Sequence, residues 1–78
     1  MKHYKTDVVA LKKLMIDKGF ETNAALAKAA GADRNTIGKV LKGTAQPSAE
    51  LMDKLAMALQ MDSATAGAVF FTQNLHIT

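Results

Sequence analysis

Apolar residues recur at helical spacing along most of the chain, interrupted by short polar stretches that carry glycine, proline or capping residues. In "DVVALKKLMIDKG", Val8, Leu11, Leu14 and Met15 share a face, lysines lie between them, and Gly19 ends the run. This spacing predicts an amphipathic first helix. "TNAALAKAAG" predicts a second: Thr22 is placed to accept from first-turn amides, and Gly31 to take the left-handed turn that closes it. "DRNTIGKVLKG" predicts a third, with Asp33 as N-cap, Gly43 past the end, and Lys42 in the last turn, where a cation suits the macrodipole. After the loop "TAQPS", Ser48 caps "AELMDKLAMALQM", in which Leu51, Met52, Leu55, Ala58 and Leu59 keep the helical period. "SATAGAVFF" predicts a short fifth helix, weakened by Gly67. In "TQNLHIT", Leu75 and Ile77 alternate with polar residues, so residues 72–78 read as a short strand or an extended arm.

Composition narrows this to one all-α, five-helix domain over residues 1–78. A chain of 78 residues buries roughly 60% of its unfolded surface, which leaves little room for an enclosed active site. There are no cysteines, so disulfides and thiolate metal sites are excluded. No apolar run approaches the roughly 20 residues that span a bilayer, and "MKHYKTDVV" has no apolar region long enough for a secretory signal. The expectation is a cytoplasmic protein. The net charge of +3 is modest. Its distribution matters more: Lys28, Arg34, Lys39 and Lys42 face one acid, Asp33, which is assigned to a cap.

The third helix separates its residue types cleanly. With an advance of about 100° per residue, Arg34, Gly38, Lys42, Asn35 and Lys39 fall within roughly 140° of arc, and Thr36, Val40, Ile37 and Leu41 occupy the rest. The apolar arc docks on a core. The polar arc is either a solvated surface or one built to meet a polyanion. It carries three cations and no acid, whereas a merely soluble surface mixes both signs. Arg34 and Asn35 lie in the first turn, and these side-chain types pair with guanine and adenine edges. Gly38 leaves space between Arg34 and Lys42 at a cost of about 1 kcal/mol of helix propensity relative to alanine.

The preceding helix fits the same reading. Leu26, Ala27 and Ala30 lie on one side, and Ala27 is small enough for the third helix to cross closely. Gly31 turns sharply, and Ile37 and Val40 fill the angle between the helices. This is the steric requirement of a helix-turn-helix, placed here at about residues 22–43. "TNAALAKAAGADRNTIGKVLKGTAQPS", followed by "LAMAL", resembles the Cro and lambda-repressor (XRE) superfamily of helix-turn-helix proteins across roughly residues 8 to 61. The ending "AGAVFFTQNLHIT" is similar to the tails of short regulators of phages and mobile elements.

The resemblance implies a lambda-repressor-like fold and specific roles. Arg34, Asn35, Gly38 and Lys39 take the base-facing positions; Thr22, Asn23, Lys42 and Thr44 take the places of DNA backbone contacts. Two positions depart from the family pattern. Asn23 stands where many members have a phosphate-binding Gln, and is shorter. Leu41 stands where many carry a Glu paired with a first-helix base, so apolar packing is expected instead.

Other signals stay ordinary. His3 and His76 lie near opposite ends without companion ligands. Asp17 and Glu21 flank Gly19 with no sign of a catalytic pair. Ser48 has the context of a cap, and Met15, Met52, Met57 and Met61 read as core filler. Phe70 and Phe71 either cover the open end of the bundle, or lend one ring, with Leu75 and Ile77, to a subunit contact. The expected function is a dimeric transcriptional regulator that binds double-stranded DNA at a palindromic operator, non-enzymatic and without cofactor or small-molecule effector. A protein-interaction module, such as an antirepressor or antitoxin on the same scaffold, is the rival.

Overall fold

The computed structural model describes residues 4–73. Each helix begins where a short polar side chain can accept from the first turn. Asp7 opens α1 (Val8–Asp17), Thr22 opens α2 (Asn23–Ala30), and Asp33 opens α3 (Arg34–Lys42). Ser48 opens α4 (Ala49–Ala58), and Asp62 opens α5 (Ser63–Phe70). The cap bonds run from 2.8 Å at Thr65 N to 3.2 Å at Thr36 N. An N-cap of this kind typically contributes about 1 kcal/mol.

Gly31 and Gly43 close α2 and α3 at φ 65° and 79°. A Cβ on Gly31 would meet nothing within 4 Å, so its backbone angle, not crowding, calls for glycine there. Its amide and that of Ala32 tie back to the Lys28 and Ala27 carbonyls, which sets the sharp turn between α2 and α3.

The apolar faces meet as the helical period requires. Leu26, Ala27 and Ala30 of α2 are buried against Ile37, Val40 and Leu41 of α3 and Leu51 and Leu55 of α4. Leu11 and Met15 of α1 complete one side, and Val69 and Phe70 of α5 another. Leu41 is buried, as expected of an apolar residue in place of an ion-pair partner.

Three features differ from the sequence expectation. Met57 is not core filler: it is 80% exposed, because it stands two residues, roughly 200°, beyond the buried Leu55. Thr36 is exposed rather than part of the apolar arc. Finally, the helices are accompanied by a small ribbon. β1 (Tyr4–Lys5) pairs antiparallel with β2 (Thr72–Gln73), with Tyr4 opposite Gln73 and Lys5 opposite Thr72. The extended reading therefore applies at Thr72 and Gln73, and its partner comes from a segment to which the sequence assigns no element. Leu75 and Ile77 lie outside the described residues.

Candidate nucleic-acid interface

The exposed side of α3 is built by what its other side buries. Ile37, Val40 and Leu41 sit at 1%, 1% and 4% exposure, which fixes the helix about its axis and turns Arg34, Asn35 and Lys39 to solvent. Arg34, Asn35, Gly38, Lys39 and Lys42 line one shallow depression of about 410 Å³, and Asn23 of α2 joins them. The fold thus brings six of the eight predicted DNA-contacting residues to one surface.

Electrostatically the surface is unopposed. Among the described residues the one ion pair joins Lys54 to Glu50 at 3.9 Å, so Arg34, Lys39 and Lys42 have no carboxylate partner. The nearest acid in sequence, Asp33, is engaged: its carboxylate accepts the amides of Asn35 and Thr36 at 3.1 and 3.2 Å. Three guanidinium and ammonium groups around a glycine make a surface that attracts phosphate and offers directional donors to base edges.

Gly38 has no internal reason to be glycine. A Cβ there would meet only Asn23 Nδ2, at 3.8 Å, which is ordinary contact with an exposed side chain. The open space above it faces outward, where an incoming ligand would lie.

The flanking residues divide. The Thr22 hydroxyl accepts from Ala25 N at 3.0 Å, which leaves its proton free to donate at the N-terminus of α2, a place suited to phosphate. Thr44 is different. Its hydroxyl and its amide both donate to the Lys39 carbonyl, at 3.1 and 3.0 Å. In this arrangement Thr44 closes the helix and has no donor left for a phosphate, a commitment that residue type and position alone do not reveal.

The two phenylalanines also part company. Phe70 is 1% exposed and belongs to the core, so it is not available to a partner. Phe71 is 50% exposed and meets the Tyr4 ring edge-on, with centroids 5.9 Å apart. Sequence reasoning missed Tyr4 because its neighbour lies at the far end of the chain.

No group of three metal-ligating side chains converges among the described residues, and none of the helices is long and apolar enough to cross a membrane. The model of the Cro/C1-type HTH DNA-binding domain matches residues 10–65. Among solved structures, the restriction-modification controller protein C.AhdI from Aeromonas hydrophila is similar, at 30% identity and a TM-score of 0.68 over 76% of this chain and 88% of that one. A search of curated proteins finds no match.

Proposed function

The chain belongs to the Cro/C1-type helix-turn-helix DNA-binding family, and from that premise we propose that it regulates transcription as a homodimer on a palindromic operator. The carrying observation is the acid-free cluster of Arg34, Asn35, Lys39 and Lys42 around Gly38. Arg34 and Asn35 read base edges, while Lys42, Thr22 and Asn23 hold phosphates. One recognition helix covers only a few base pairs, so useful specificity calls for a second copy on a related half-site about one DNA turn away.

An exposed aromatic ring at the ribbon end supports pairing there. Phe71 is half-exposed. Burying an aromatic ring per subunit contributes a few kcal/mol before association costs, enough for a weak dimer and not for a permanent one. The likeness to a restriction-modification controller favours a role of that kind; a phage or mobile-element repressor is the other setting. Action is steric: an occupied operator excludes or recruits polymerase.

Selection of bound sequences from a random DNA pool tests the reading. An inverted repeat with half-sites about 10 base pairs apart, centre to centre, is expected. Absence of any enriched sequence would leave the interaction-module reading in its place. Sedimentation over a concentration series, with and without residues 74–78, tests the pairing.

A further inference from the structure

A cleft lies beside the α3 surface, not on it. It measures about 720 Å³ and is lined on one wall by Tyr4, Lys5 and Thr6, and on the other by Lys42, Thr44 and Gln46. The N-terminal segment thus stands across from the end of the recognition helix, while the strand it pairs with, Thr72–Gln73, lies at the far end of the described residues. Val8 and Gly43 both line the cleft, and a Val8 methyl lies 3.7 Å from where a Cβ on Gly43 would be.

We propose that this cleft seats the sugar-phosphate backbone of DNA as it leaves the α3 surface, with Lys5 as a phosphate contact opposite Lys42. The inference rests on the DNA-binding reading above and extends its surface to β1. Continuity carries it, since Lys42 lines both this cleft and the α3 depression. Charge agrees. The charged side chains of the lining are Lys5, Lys42 and Asp7, and the Asp7 carboxylate is engaged as the cap of α1, accepting Ala10 N at 3.0 Å.

The segment that carries Lys5 is held rather than loose. Lys5 pairs with Thr72 in the ribbon, Thr6 Oγ1 donates to Gln46 Oε1 at 2.9 Å, and Asp7 N donates to the Val69 carbonyl at 2.6 Å. Gln46 Nε2 in turn donates to the Phe70 carbonyl at 2.7 Å. Its second N–H remains for a ligand in the cleft. Thr6 and Thr44 have spent their hydroxyl protons inside the protein, so the ammonium groups and Gln46 supply the donors.

The test uses a random-sequence DNA duplex and the full chain, with the association constant followed against salt by fluorescence anisotropy. Each phosphate contact contributes about 0.9 to the slope of log K against log salt. Lys5→Ala and Lys5→Gln should each flatten the slope by about 0.9, and the double variant with Lys42→Ala by about 1.8. Lys5→Arg should restore the wild-type slope. Lys18→Ala removes the same charge at the opposite end of α1, where Lys18 donates to Gln60 at 3.2 Å, and should leave the slope unchanged. A wild-type slope in both Lys5 variants overturns the inference while leaving the α3 interface standing. So does an equal loss in Lys18→Ala, which would reduce the effect to net charge. A wild-type chain that binds no duplex overturns the DNA-binding reading and this inference together.

Discussion

The helix-turn-helix and the ribbon end of this protein are held together in opposite ways. Between Thr22 and Gly43 the structure follows from neighbours: two N-caps, two left-handed glycines and an apolar arc that repeats every three or four residues. At the ribbon end, the bonds join residues far apart in the chain. Thr6 meets Gln46, Gln46 meets Phe70, Tyr4 meets Phe71, and Asp7 meets Val69. Local signals place a surface; distant ones tie the chain ends around it. Disturbing each region should therefore produce different failures.

The largest effects belong in the turn. Ala27 is 4% exposed under the α3 crossing, so Ala27→Leu overpacks it by about 1–3 kcal/mol. Gly31 holds φ 65°, where a β-branched residue is strained, so Gly31→Val should destabilise comparably. In a domain of this size each kcal/mol moves Tm by roughly 4–8 °C. Unchanged melting of both variants would remove the tight crossing from the account.

Next come the proposed DNA contacts, where binding should change and folding should not. Arg34→Ala should lose about 1–3 kcal/mol on the operator and relax preference at one base pair. Lys42→Ala should weaken operator and random DNA alike and flatten the salt slope by about one unit. Equal losses on both DNAs for both variants would show that Arg34 reads no base.

The ribbon end should respond less. Gln46→Ala breaks the bonds to Thr6 and to the Phe70 carbonyl. The Thr6 bond is exposed and exchanges readily with water, so the two together contribute on the order of 1 kcal/mol. Melting should fall modestly, and proteolysis near Tyr4 should rise while the helix-turn-helix stays folded. A loss as large as that of Ala27→Leu would mean the two regions unfold as one.

Gly38 separates folding from function within a single residue. Its added Cβ has room, so Gly38→Ala should raise stability by up to about 1 kcal/mol. The same methyl group projects into the depression shared with Asn23 and Arg34 and should weaken operator binding. A variant that melts higher and binds as before would make the glycine incidental.

This contrast also explains what the sequence made legible. The five helices, their caps at Thr22, Asp33 and Ser48, and the split of α3 into buried and exposed arcs are all written within a few residues of where they act. β1 is not: a two-residue strand is too short to carry an alternating pattern, and its partner is at the other end of the chain. Met57 is apolar in type but lies outside the buried phase of α4, and residue type alone does not show that. Thr44 stands beside the proposed interface, yet its hydroxyl proton is spent on the Lys39 carbonyl, a bond that depends on how α3 ends.

The smallest expected effect concerns the cap of α5. Asp62 accepts the backbone amide of Thr65 at 2.8 Å. That bond, with a second from the Thr65 side chain, holds the Asp62 carboxyl below its ordinary value. A carboxyl whose folded value is depressed stabilises the fold above its unfolded value, near pH 4, and loses that contribution as pH falls through the lower folded value. Because Asp62 is fully exposed, the effect should be slight. Asp62→Asn keeps an oxygen that accepts from Thr65 but cannot titrate. The wild-type protein should therefore melt above the variant near neutral pH, and the gap should close as pH drops below about 4. The helix that Asp62 caps ends in Val69 and Phe70, which anchor the ribbon through Asp7 and Gln46. If the cap acts on that region alone, hydrogen exchange should quicken in α5 and the ribbon at low pH while α2 and α3 stay protected. Equal quickening in α2 and α3 would show instead that the two ends share one cooperative transition.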